Sequence, residues 1–388
     1  MQPSIRHLRM LRALAQSNSV TRAAEICHVS QPAVTQAMVK LAQEAGQALF
    51  HRNPQGLFLT EAGTILAHRT ARALTLLDAA MADMAREIRV QATWAQLTSL
   101  IAVVELENFT LAAHRLGLAQ PTVHRSTTTL ERSAGVAFFQ RTAHGLIATR
   151  AAQQLAQAAR LALAELDQAG SDLAALNGRE VGRIVVGALP LSRSGWLPQA
   201  ILRFRERRPS FPVEVIDSRY DELLTSLRRG EIDMMLGAMR LPAPIADIEQ
   251  QALFDDHVVL VARHGHPLLQ QERITPGMLV GYPWVLPRHP TPIRAQIDAF
   301  LAPHQPKSVV VTSSVIMMRE LLCGSDHLGS LSRVQAEPAG EAQTLAILPV
   351  ELPQSARPIG LTTRRDWDPT RVQREFLDAI HATVPGRG

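Results

Sequence analysis

Two short stretches carry side chains suited to reading a polar surface. "VSQPAVTQ" runs from Val29 to Gln36, and "LAQPTVHR" runs from Leu118 to Arg125. In each, a Gln-Pro pair opens a segment whose polar residues share one end of a helix: Gln31, Thr35 and Gln36 in the first, Gln120, His124 and Arg125 in the second. A glutamine amide sets a donor beside an acceptor, which suits adenine N6 and N7, and threonine meets a thymine methyl or a phosphate. Lys40, Arg52 and Arg141 are cations of the kind that hold phosphates and fix register without reading bases. Pro32 and Pro121 fit a first helical turn, where a missing N–H costs little.

Other constellations suit different chemistry. "ALPLSRSG" follows an apolar strand and opens a helix, the place where open α/β sheets bind ligands. Its backbone N–H groups, with Ser192 and Ser194, would hold a carboxylate or hydroxyl. "TSSV", with Ser313 and Ser314, repeats that arrangement later in the chain. His257, His264 and His266 lie close together, but no carboxylate or cysteine completes a metal set, so no metal or other cofactor is expected. No Gly-x-Ser-x-Gly turn supports a catalytic serine, and no enzyme is expected. Cys27 and Cys323 are too far apart in sequence for a metal pair and read as buried thiols.

These residues need elements to position them, and the first 178 residues supply the elements twice. A shift of 89 places Leu8 and Leu11 on Leu97 and Leu100, Gln31, Pro32 and Val34 on Gln120, Pro121 and Val123, and Gly56 and Leu57 on Gly145 and Leu146. One register held over fifty residues is a tandem duplication. Each copy reads as three helices and a two-stranded ribbon, a winged helix-turn-helix. Thr21 and Thr110 are read as N-caps of the second helix, and Ser30 as N-cap of the third. Each copy is followed by a long helix with apolar residues three, four and seven apart: Leu66, Ala73, Leu77, Met81, Met84 and Ile88, then Leu155, Ala159, Ala162, Leu166, Leu173 and Leu176. Such stripes want a partner helix. "NGREVG" reads as a hinge, and beyond it strands alternate with helices, which predicts two α/β lobes with parallel sheets.

Composition agrees with this layout. The chain has 388 residues, 46% of them apolar and 19% charged, with a net charge of +5. No run of eighteen apolar residues or exported leader is seen, so a cytoplasmic protein without a membrane partner is expected. Residues 1–90 hold ten Lys and Arg against six Asp and Glu, a net +4, whereas residues 91–178 hold six of each. That excess points to a polyanion partner at the N-terminus.

The segments "SVTRAAEICHVSQPAVTQAMVKL", "ALFHR", "LTEAG", "RRGEIDMMLGA" and "VARHGHPLL" resemble those of LysR-type transcriptional regulators. The resemblance spans the chain. It implies a winged helix, a linker helix and a two-lobed, Rossmann-like effector domain of the type 2 periplasmic-binding-protein kind, here with one extra DNA module. It implies double-stranded promoter DNA, a small-molecule effector and further copies of the chain as partners. It also places the loops with Arg193, Arg240 and Arg288 around the effector cleft as anion partners, and makes His-Pro-Leu at 266–268 a turn.

The expected layout is a winged helix at 1–61, a linker helix at 62–90, a second winged helix at 91–150, a second linker at 151–178 and the effector domain at 181–388. The second copy has Ala119 where a serine is expected before Gln-Pro, losing a cap worth about 1 kcal/mol. The first has Ala42 in place of the acidic residue of Leu130-Glu131. By charge and cap, the first copy is expected to be the stronger reader. The helices over 62–89 and 150–176 are expected to pair within one chain. The rival to a regulator is a small-molecule-binding or scaffold protein whose helical modules serve assembly.

Overall fold

The duplication appears element for element. In the computed structural model, α1 (Ile5–Ser17), α2 (Val20–Cys27) and α3 (Gln31–Ala45) lead into a ribbon, β1 (Phe50–Asn53) and β2 (Gly56–Leu59), and then α4 (Glu61–Ala80). After a short α5 (Arg86–Gln91), the order returns as α6 (Trp94–Leu106), α7 (Phe109–Leu116), α8 (Gln120–Ala134), β3 (Phe139–Thr142), β4 (Gly145–Ala148) and α9 (Arg150–Leu176). The described residues are 3–53, 56–143, 145–289, 291–302, 304–306, 308–341, 344–353 and 356–385. The chain divides into two units at Gly182 and Arg183.

Local chemistry sets these boundaries. Ser30 caps α3 by accepting the Ala33 N–H at 3.4 Å, as expected, while Ala119 gives α8 no side-chain cap. The caps of the second helices are Ser19 and Asn108, not Thr21 and Thr110. Thr21 and Thr110 lie inside the first turn, because each has a better acceptor two residues earlier. Thr60 and Thr149 fasten each ribbon to its long helix: Thr60 Oγ1 donates to Ala48 O at 2.7 Å and accepts the Gly63 N–H, and Thr149 repeats this with Ala137 O at 2.9 Å and the Ala152 N–H. At Gly63 an added Cβ would sit 1.9 Å from the Leu49 carbonyl oxygen, so the closeness of ribbon and α4 depends on glycine.

The expected single linker helix over 62–90 is two helices. Its first part stops at Ala80, and α5 packs beside α8, with the Ala85 N–H donating to Ala134 O at 2.9 Å. Met81 and Ile88 remain buried across the break, so the apolar spacing continues although the helix does not.

The helices α4 and α9 pack antiparallel within the unit. Leu66, Ala73 and Leu77 join Leu155, Ala159, Ala162 and Leu166 in one buried cluster shared by both copies. Ion pairs cross this interface. Arg69 donates to Glu165 at 3.0 Å, to Gln168 at 2.8 Å and to Asp172 at 3.1 Å, and Arg72 donates to the other oxygen of Glu165 at 2.9 Å. The Arg69 side chain is 3% exposed and Glu165 9%, so both charges are desolvated and rely on the counter-ions of this network. Two further ties bind the copies: Trp94 Nε1 donates to Pro3 O at 2.7 Å, and Gln47 Nε2 to Leu173 O at 3.0 Å.

The second unit is two α/β lobes. In the first, β5 (Ile184–Ala188) lies parallel to β6 (Val213–Asp217) and β7 (Met234–Ala238), with α10 (Trp196–Arg207) and α11 (Tyr220–Arg229) as crossovers. A long strand, β8 (Ile248–Arg263), then crosses to the second lobe, made from α12 (Pro276–Leu279), β9 (Trp284–Leu286), α13 (Pro292–Leu301), β10 (Val309–Val311), α14 (Val315–Gly324), β11 (Leu328–Ser332), α15 (Arg333–Glu341) and β12 (Leu345–Ile347). The chain returns on β13 (Ala356–Arg364) and ends in α16 (Arg371–Ala382). Residues 248–257 of β8 face β13, and residues 258–263 face β11 and β12. At that change of partner sits Asp256, 1% exposed, which accepts from Ser332 Oγ at 2.7 Å and from Arg357 Nη2 at 3.0 Å. The lobes therefore share two crossing strands locked by a buried ion pair.

Candidate nucleic-acid interface

The third helix of each copy presents the predicted residues outward. Its inner face buries Val34, Ala37, Met38 and Leu41, which fixes α3 against α1 and α2 and leaves Gln31, Pro32, Thr35, Gln36 and Lys40 exposed. Thr35 Oγ1 donates to Gln31 O at 3.2 Å, so its acceptor lone pairs face solvent. Arg52 lies in β1 opposite Leu57, and its side chain lies outside the described residues.

In the second copy the ribbon and helix flank an open, shallow recess of about 710 Å³ lined by Gln120, Pro121, His124, Arg125, Thr128, Thr129, Arg132 and Arg141. Every predicted contact of that copy lines it. The His124 ring lies against Phe109, centroids 5.1 Å apart, and Phe109 meets Phe139 edge-on. Glu131 accepts the N–H groups of Phe138 at 2.7 Å and Phe139 at 3.3 Å, which anchors the start of the ribbon. This is the work of the acidic residue that Ala42 replaces in the first copy.

Charge counted by copy misplaces the cations. Glu165 and Asp172, counted with the second copy, serve Arg69 and Arg72 of the first. Glu105 holds Arg115 and Arg160, and Glu131 faces the ribbon amides. At least four of the six acids behind the zero balance are thus engaged inside the unit, while Arg125, Arg132 and Arg141 stay exposed around the recess. The expectation that the first copy reads more strongly keeps its cap argument and loses its charge argument.

The description "Bacterial regulatory helix-turn-helix protein, lysR family" matches the chain twice, over residues 5–64 and 94–153, and "LysR substrate binding domain" matches residues 177–385. The chain belongs to the LysR family. The HTH-type transcriptional regulator GalR of Pseudomonas putida is 34% identical over 368 residues, covering 93% of this chain and 92% of that one. An alignment of that coverage runs through both DNA modules. The regulator PcaQ of Agrobacterium fabrum is 27% identical over 287 residues, covering 73% of this chain and 92% of that one. A full-length OxyR variant from Pseudomonas aeruginosa shares the fold with a TM-score of 0.52 at 19% identity, over 76% of this chain and 95% of that one. CbnR in complex with its target DNA does so with a TM-score of 0.50 at 20% identity, over 75% of this chain and 100% of that one.

This LysR regulator is thus a DNA-binding transcription factor with a C-terminal effector-binding domain. LysR regulators bind promoter DNA and small effectors and act as oligomers. The reading as a scaffold is not favoured. No helix among the described residues is long and apolar enough to cross a membrane.

In the effector domain the predicted residues separate into committed and open groups. Ser192 is fully buried, with Oγ at 2.9 Å from Leu189 O and 3.0 Å from Leu236 O, so its hydroxyl serves the turn after β5. Arg193 pairs with Asp217 at 2.9 Å, and Arg240 pairs with Asp221 at 3.1 Å while lying 3.7 Å over the Tyr220 ring. Ser314 caps α14 by accepting the Met317 N–H at 3.2 Å. By contrast, Ser194 Oγ is buried without a hydrogen-bond partner, and Ser313 and Arg288 are exposed. The turn after β5 meets the other lobe where Gln335 Nε2 donates to Pro190 O at 3.1 Å. No hydrogen bond among the described residues joins that turn to Ser313, Ser314 or Arg288.

His266 has a structural task. It is buried, its Nδ1 accepts the Leu268 N–H at 3.1 Å, and burial, the largest influence, lowers its pKa and keeps it neutral. The Arg69–Glu165 network is what the reading of the sequence missed. Its signal lay in the repeat itself: Arg69 and Arg72 correspond to Ala158 and Leu161, and Glu165 to Leu76, so the copies differ in charge on one helical face.

Proposed function

We propose that a single chain of this regulator reads a two-part operator. The modules at 1–61 and 91–150 both contact DNA, through Gln31, Pro32, Thr35, Gln36, Lys40 and Arg52, and through Gln120, Pro121, His124, Arg125 and Arg141. The linkers at 62–90 and 151–178 hold them as a built-in pseudo-dimer. The domain at 181–388 binds a small hydroxylated or carboxylated metabolite, with Ser194, Ser313 and Arg288 as its open polar groups. The protein works in the cytoplasm and performs no catalysis.

The buried Arg69–Glu165 pair carries this reading. Two α4 helices paired in the same antiparallel register would set Arg69 against Leu76, Ala79 and, past the helix end, Asp83 of the other, with no equivalent of Glu165. Two α9 helices would set Glu165 against Ala158 and Leu161. Pairing α9 with its twin buries Glu165 without a counter-ion, pairing α4 with its twin takes Glu165 from Arg69, and removing one partner of a buried pair costs about 3–5 kcal/mol. Pairing α4 with α9 brings Arg69 and Arg72 to Glu165, and Arg69 to Asp172 as well. The test is stoichiometry: footprinting on the operator, with native mass spectrometry of the complex, is expected to show two protected half-sites for each chain. One half-site per chain, or protection from the first copy alone, refutes the proposal. For the effector, thermal-shift screening with small carboxylates is expected to find a stabilising compound whose effect falls in Ser194→Ala.

A further inference from the structure

The two recognition helices match in span and end at equivalent glycines, Gly46 and Gly135, with φ of 67° at both. Equivalent positions therefore face DNA in both copies. Along that face Gln31 corresponds to Gln120, but Thr35 becomes His124, Gln36 becomes Arg125 and Lys40 becomes Thr129. Of these side chains, the glutamine at the first position alone is shared. All are exposed, and although the His124 ring also lies against Phe109, no ring contact of that kind involves Arg125 or Thr129 among the described residues.

We infer that the operator is built of two unlike half-sites, one carrying adenine opposite Gln36 and the other guanine opposite Arg125. The inference rests on the proposal that both modules touch DNA. An arginine fork matches guanine O6 and N7, while a glutamine amide matches adenine N6 and N7, so one position along the helix asks for a different base in each half. The half-sites share the base read by Gln31 and Gln120. Phosphate grip differs as well. Lys40 adds to it on the first helix and Arg132 on the second, beside Arg52 and Arg141, which are equivalent in the two ribbons.

Selection of the full-length protein on random duplexes tests this, read together with footprints of the selected sites. The expected consensus is non-palindromic. In Arg125→Gln, the guanine preference in one half is expected to fall about ten-fold or more and adenine to replace it, with the other half unchanged. In the double variant Gln36→Arg with Arg125→Gln, the two preferences are expected to exchange halves. A palindromic consensus with both halves protected overturns the inference and leaves the two-module reading standing. Protection of a single half per chain overturns both. Retained preference in Arg125→Gln, with an unchanged melting temperature, also overturns the assignment.

Discussion

At the residue scale, the polar side chains that open α3 had a signal in the sequence because a Gln-Pro pair after a capping serine leaves few alternatives. Gln31 is exposed at the first position of α3, where a recognition helix approaches base edges. Gln31→Ala is expected to weaken binding to the selected operator by roughly 1–3 kcal/mol and to leave binding to random DNA nearly unchanged. Filter binding on both duplexes at one salt concentration checks this, and equal losses would assign Gln31 to the backbone instead. The effector residues were less legible. Serines after strands suit ligands and turns equally, and spacing does not say that Ser192 Oγ meets two backbone carbonyls while Ser194 Oγ meets none. Burial decides between them, and burial is a property of the fold.

At the element scale, the repeat made most of the first unit readable, since each element could be checked against its copy. The break after Ala80 was not readable. Apolar spacing reports which residues are buried, and Met81 and Ile88 stay buried on both sides of the turn. The long strand β8 escaped for a related reason: its partners change at Asp256, so no single alternation runs through it. Two predictions belong here. Arg69→Ala takes the more buried of two cations from Glu165 while Arg72 still donates to it, and is expected to destabilise the first unit by about 3 kcal/mol in urea unfolding, the low end for a broken buried pair, with Arg69→Ala plus Glu165→Leu recovering part of the loss. Asp78 ties α4 to α1. Burial opposes its ionisation, but hydrogen bonds and charge from Arg9 and Arg12 outweigh that and hold its pKa below the usual carboxylate range. With the folded pKa depressed, its contribution is present above about pH 4 and is lost as pH falls further. Unfolding midpoints measured from pH 6 to pH 3 are expected to fall less steeply in Asp78→Asn than in the parent.

At the scale of the whole molecule, each copy of the chain brings two winged helices to any assembly it joins. Light scattering beside footprinting is expected to show twice as many protected half-sites as chains in every complex, whatever the assembly size. A ratio of one would mean that the second module has left the DNA. The covalent passage from α4 through α5 into the second module has a consequence for the cell. Where reading halves come from separate chains that associate weakly, operator occupancy follows roughly the square of protein concentration. On the proposal that both modules read DNA, the second half is tethered at an effective concentration on the order of millimolar, so filling it calls for no second chain. On the same proposal, dilution of the protein at division would weaken the hold on both halves together and would not free one half ahead of the other.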